Sequence, residues 1–113
     1  MHEMSLVEGV RELIEEAAAR EGFAKVLAVR VEIGQLSGVE RESFEFCFDL
    51  AMRDGICAGA RLDVVATPGK GRCVVCGKDG PLAAVYDPCV HCGSYPVEIL
   101  DGTAMRVIDL EVE

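Results

Sequence analysis

Two helices and a three-stranded sheet, with a small zinc-ribbon-like module inserted between the second and third strands, form the α+β arrangement that this sequence predicts. Three observations predict it. Two segments carry apolar residues at helical spacing, three alternate apolar and polar residues, and a pair of Cys-x-x-Cys units interrupts the pattern between residues 72 and 95. The chain has 113 residues, the length of one ordinary domain with room for a small insertion. Half are apolar but only 5% are aromatic and Trp is absent, so aliphatic side chains must fill the core. At this size a cross-link adds usefully to what burial alone supplies.

The first helix is expected to open at Ser5-Leu6-Val7-Glu8, which has the form of a capping box with Ser5 as N-cap. Leu6, Val7, Val10, Leu13, Ile14, Ala17 and Ala18 recur at helical spacing, Glu8, Glu12, Glu15 and Glu16 fall mostly on the other face, and Gly22 supplies a stop. From Leu27 to Ile33 the period changes to two, with Leu27, Val29, Val31 and Ile33 on one side, and Gly34 ends this half-buried strand. A second capping box, Ser37-Gly38-Val39-Glu40, opens another helix in which Phe44, Cys47, Phe48 and Ala51 share a face. Phe46 and Leu50 widen that stripe, so burial on more than one side is expected.

The second helix ends near Asp54-Gly55. Residues 61–66 alternate again with Leu62, Val64 and Ala66 on one face, until Pro68-Gly69-Lys70-Gly71 breaks the pattern. A last alternation, residues 106–113, turns Ile108, Leu110 and Val112 inward. The resulting division assigns 1–68 and 97–113 to the α+β domain and 69–96 to the inserted module. Three strands under a helical layer are about the minimum for independent stability.

Acidic residues outnumber basic ones, 20 to 11, for a net charge of −9. That opposes a phosphate-binding, and hence nucleic-acid-binding, surface, and suits a chain that meets cations or a basic partner. No run of 18 apolar residues is present, so no membrane span is expected. The acidic start lacks the basic and apolar stretches of a signal peptide, so the cytoplasm is the expected compartment. In a reducing compartment paired cysteines point to metal rather than to disulfides.

The spacing Cys73-x2-Cys76-x12-Cys89-x2-Cys92 suits one tetrahedral ion. Two intervening residues let a single turn aim both sulfurs at it, and four thiolates leave no open position, as a structural zinc site requires. Each knuckle continues with glycine, Gly77 or Gly93, whose freedom at positive φ can turn backbone N–H groups toward the sulfurs. The residues alone also admit a rubredoxin-like iron site or a pair of redox dithiols. His91, inside the second knuckle, is read as an exposed residue with a possible role beside the metal. Cys47 and Cys57 are read as small packing residues.

The start, Met1-His2-Glu3, is chemically a chelator. The free α-amine of Met1, the deprotonated amide nitrogen of His2 and the Nδ1 of its ring close fused five- and six-membered chelate rings. Those nitrogens take three corners of a square plane, a geometry that Ni(II) and Cu(II) favour. Excision of Met1 normally requires a small second residue, so His2 preserves it.

Met1-His2-Glu3, the run Val31-Glu32-Ile33-Gly34-Gln35-Leu36-Ser37-Gly38-Val39-Glu40, Ser43-Phe44 with Phe46 and Phe48, and the two cysteine knuckles occur here in one order. Together they resemble the HypA/HybF family of nickel metallochaperones for [NiFe]-hydrogenase maturation. The resemblance covers nearly the whole chain. It implies transported Ni2+ at His2 with Met1, assisted near Glu3, and structural Zn2+ at Cys73, Cys76, Cys89 and Cys92. It implies a carrier rather than an enzyme, with a HypB GTPase and the hydrogenase large-subunit precursor as partners. Glu40 matches an acidic residue that lies near nickel in some relatives. The alternatives are a zinc-ribbon module that binds nucleic acid or protein, and a rubredoxin-like electron carrier.

Overall fold

A computed structural model describes residues 2–113. The elements follow in the order α1 (Glu3–Glu21), β1 (Val26–Gly34), α2 (Arg41–Ala51), a short helical turn (Gly55–Cys57), β2 (Arg61–Thr67), β3 (Lys70–Cys73), β4 (Asp79–Pro81), β5 (Val97–Asp101) and β6 (Met105–Val112). They form two three-stranded sheets, with strand orders β2-β1-β6 and β4-β3-β5. The first is the expected sheet, completed by the C-terminal strand. The second belongs to the cysteine segment. It starts inside the Pro68–Gly71 stretch that reads as a break, because Lys70 and Arg72 pair across to Pro81 and Asp79.

The chain packs into two compact units. One takes the residues up to Val31 with Val39–Val64 and Val107–Glu113, and the other takes Glu32–Gly38 with Val65–Arg106. The core of the first is aliphatic and phenylalanine-rich, with Val7, Ile14, Val26, Val29, Val31 and Phe44 fully enclosed. Strand β1 lies in the middle of its sheet, and apart from Arg30 its residues are buried or half-buried. Central position explains why Ala28, expected on the outer side of an alternating strand, is buried too.

Two expected caps are corrected. Helix α1 begins at Glu3 with His2 as N-cap, so Ser5 lies within the helix and is exposed. Helix α2 is capped by Glu40, not Ser37: the Glu40 carboxylate accepts the Glu42 amide at 3.2 Å and the Ser43 hydroxyl at 3.0 Å. Gly22 does close α1, at φ 84 with its amide on the Ala18 carbonyl. Phe46 and Leu50 are the third correction. They are 65% and 38% exposed, so α2 buries only the face of Phe44, Cys47 and Phe48.

The end of β1 grips the strands that lead into and out of the cysteine segment. Gly34 and Leu36 donate their amides to the carbonyls of Ala104 and Gly102, and Gln35 donates to that of Thr67. The Gln35 side chain accepts the Gly69 amide at 2.8 Å. The backbones approach so closely that a Cβ on Gly34 would lie 2.1 Å from the Gly102 carbonyl oxygen, and one on Gly69 2.1 Å from that of Leu82.

Candidate metal centres

The four knuckle cysteines meet in one place. Cys73 closes β3, Cys76 follows three residues later, and the second knuckle brings Cys89 and Cys92 alongside. Their sulfurs all lie within 4.8 Å of one another, with Cys73 Sγ 3.6 Å from Cys92 Sγ and Cys76 Sγ 3.7 Å from Cys89 Sγ. A tetrahedron of sulfurs about 2.3 Å from a zinc ion has edges of about 3.8 Å, so the donor set and its spacing fit that ion. Cys73 and Cys89 are buried, whereas Cys76 and Cys92 face solvent.

Both knuckles use the same local geometry. Gly77 and Gly93 stand at φ 74 and 73 and donate their amides back to the Cys73 and Cys89 carbonyls, each at 2.9 Å. The glycine N–H thus closes the turn, and its neighbours address the sulfurs. Val75 and His91 donate backbone N–H to Cys73 Sγ and Cys89 Sγ, each at 3.3 Å. Lys78 and Ser94, one residue past each glycine, do the same for Cys76 and Cys92.

The sulfurs differ in acidity. The Ser94 hydroxyl and amide bring Cys92 down to about 6. The Cys92 and His91 amides hold Cys89 below the ordinary thiol range. Cys76 moves the other way, up to about 11: the Lys78 amide pulls it down, but desolvation and the neighbouring cysteine sulfurs outweigh that pull. A thiolate rather than a thiol ligates a metal, so metal binding at this cluster and loss of the thiol protons are linked.

His91 lies at the edge of this cluster, exposed, with Nε2 2.9 Å from the Asp79 carbonyl oxygen. Cys47 and Cys57 are both buried and are not members of the four-cysteine cluster, and burial pushes the Cys57 thiol up.

At the other candidate centre, His2 is exposed at the N-cap of α1 and its side chain makes no capping hydrogen bond. Met1, the second expected ligand there, lies outside the described residues. Glu3 is buried at 4% exposure, an unusual place for a carboxylate in the first turn of a helix. Its Oε2 accepts the Glu40 backbone amide at 3.2 Å. That bond holds the Glu3 carboxyl below the usual carboxylate range, against the opposing effect of burial. Sequence reasoning missed this anchor. It joins residues 37 positions apart, and no local pattern marks it.

A family model described as "Hydrogenase/urease nickel incorporation, metallochaperone, hypA" matches residues 1–112. Hydrogenase maturation factor HypA of Albidiferax ferrireducens is 52% identical over 113 residues, covering all of both chains. That of Geobacter metallireducens is 46% identical over the same full coverage. Among solved structures, the Ni metallochaperone HypA from Helicobacter pylori is similar at 32% identity with a TM-score of 0.69, over 99% of this chain and 97% of that one. A second solution structure of a HypA protein gives a TM-score of 0.71 at 32% identity, over 100% and 97% of the two chains.

Proposed function

The chain belongs to the HypA family of nickel-incorporation metallochaperones, and from that premise we propose that it takes up Ni(II) at its amino terminus and passes it on during [NiFe]-hydrogenase maturation. The proposed ligands are the Met1 amine, the His2 amide nitrogen and the His2 ring. The observation that carries this reading is the placement of His2, exposed and uncommitted at the start of α1 while the next residue is buried against α2. A carrier must hold its cargo where a receiver can reach it, and an imidazole at an anchored helix start meets both demands. Glu40, held near this end through its bond to Glu3, is a candidate further oxygen ligand.

The cysteine cluster is proposed to hold zinc permanently. Four thiolates fill a tetrahedral shell, so the bound ion supplies cross-linking rather than reactivity. Nickel then uses the α+β part of the chain and zinc the inserted part. The proposed partners are a HypB GTPase, which exchanges nickel with this chain in a nucleotide-dependent way, and the hydrogenase large-subunit precursor, both in the cytoplasm. Membership in a nickel-incorporation family favours this carrier over a nucleic-acid module or an electron carrier.

The test is Ni(II) titration of the untagged chain, His2→Ala and a form extended by one residue ahead of Met1. The extension turns the amine into a poorly ligating amide, and His2→Ala prevents closure of the six-membered chelate ring. Both should lose high-affinity nickel while zinc content and fold persist. Affinity should also fall on acidification, because protons compete with the metal for the nitrogen ligands. Equal, stoichiometric binding by all three proteins would move the site away from the amino terminus.

A further inference from the structure

The exposure of Phe46 and Leu50 has no counterpart in the needs of the fold. Two hollows of about 390 and 380 Å³ adjoin on the outer side of α1 and α2, sharing Met4 and Leu50 in their linings. Phe46 forms one wall with 65% of its surface exposed, and Leu50 lies 38% exposed between the two. The rim is acidic: Glu8 and Glu12 line one hollow and Glu42 the other. Arg11 beside them is already engaged by Glu15, Asp54 and the Ala51 carbonyl.

We propose that this groove is a docking site for an amphipathic helix of a partner protein, one that presents apolar anchors flanked by lysine or arginine. The apolar floor offers Phe46 and Leu50 for such anchors, and a large exposed aromatic is a typical centre of binding energy. The acidic rim chooses the occupant's charge and favours fast encounter with a basic partner. A second copy of this chain is a poor occupant, because a two-fold contact would set acidic rim against acidic rim. Met4 lies two residues from His2, so a partner seated here would lie beside the proposed nickel ligand. In that respect the inference rests on the proposed function.

The experiment uses the full chain with its metal and three labelled synthetic helical peptides. One is amphipathic with a leucine face and a lysine face, one carries glutamate in place of lysine, and one scrambles the leucine–lysine sequence. Anisotropy titration should show the leucine–lysine peptide binding at least tenfold more tightly than the other two. Phe46→Ser and the double variant with Leu50→Ser should each weaken it tenfold or more, and the unfolding midpoint of Phe46→Ser should stay unchanged because that side chain is largely exposed. Glu8→Lys with Glu12→Lys should weaken it and reduce its salt dependence. Equal binding of the amphipathic and scrambled peptides, or insensitivity to Phe46→Ser, would overturn the groove as the site. A concentration-dependent dimer that Phe46→Ser abolishes, seen by sedimentation, would overturn the choice of occupant in favour of a second copy. Nickel titration of Phe46→Ser stands apart from these outcomes: the variant should bind nickel normally, so loss of the groove and loss of the amino-terminal site are separately visible.

Discussion

Glu3 and Arg11 hold α1 alongside α2 by addressing the two ends of the second helix. Glu3 accepts the Glu40 amide at the start of α2, and Arg11 donates to the Ala51 carbonyl at its end. The eight steps from Glu3 to Arg11 rise about 12 Å along α1, comparable with the length of α2. Each charge complements the helix end it meets, negative at the N-terminus and positive at the C-terminus. Because the Glu3 carboxyl is held below its ordinary range, it contributes stability above the unfolded-state value, and that contribution is lost as pH falls through the folded-state value. Glu3→Gln keeps an oxygen for the Glu40 amide but removes the charge. It should be less stable than the parent at pH 7 in urea, and the difference should shrink through the acid side of pH 4.5. A constant difference across that range would mean that the charge is not what matters. The expected caps at Ser5 and Ser37 failed differently: α1 begins ahead of Ser5, at Glu3, and α2 is capped by the Glu40 carboxylate through its local bonds to Glu42 and Ser43. The bond between Glu3 and the Glu40 amide joins residues 37 positions apart, and no sequence pattern marks it. The four knuckle cysteines were legible because their geometry is local, two residues within each pair.

Strands β1, β2 and β6 were legible from their period, and the helices from their apolar stripes, to within a few residues at each end; β3, β4 and β5, three to five residues long, were not. The crossing at Gly34, Gly69 and Gly102 was not either, because Gly34 reads as a terminator and Gly69 as part of a break, and nothing in the local sequence marks a contact with Gly102. In the fold they are points of contact. Side chains are excluded where the end of β1 meets the chain entering β3 and the chain leaving β5. Gly34→Ala would put a methyl 2.1 Å from a backbone oxygen, which no side-chain rotation can relieve. It should cost about 1–3 kcal/mol or more, as overpacking does. Gly9 is the internal control. It lies in α1 with open space around its Cβ position, and Gly9→Ala should stabilise by about 0.5–1 kcal/mol. Denaturant unfolding of the two variants checks both signs; a harmless Gly34→Ala would mean that the crossing yields more easily than its close approach implies. Phe46 and Leu50 teach a related lesson at the same scale. An apolar stripe on a helix shows that something is covered, but not whether this chain or another covers it.

Across the whole molecule, the cysteine segment contrasts sharply with the core of helices and β1. Between residues 69 and 96 the buried apolar side chains are Cys73, Leu82 and Cys89, while Val74, Val75, Tyr86, Val90 and Tyr95 are at least 60% exposed. Its sheet is made of strands of four, three and five residues. So little buried surface cannot offset the entropy of ordering the segment, and two of its three enclosed side chains are themselves proposed ligands. In the proposed reading, a metal ion held by the four thiolates supplies the missing free energy. Structural zinc binds with an apparent free energy of about 10 kcal/mol or more, ample for the purpose. Cys73→Ser or Cys92→Ser should lose zinc and collapse the amide resonances of β3, β4 and β5 into the disordered range. The helices draw their stability from Val7, Ile14, Phe44 and Phe48, none of which depends on a metal, so their circular dichroism should persist. Chelation of the parent protein should reproduce the same selective loss, and re-addition of zinc should reverse it. A Cys73→Ser protein that kept one equivalent of zinc with unchanged resonances from residues 70–101 would show that the four thiolates are not the ligand set. Loss of the helical signal along with the knuckles would show that the two compact units fold as one.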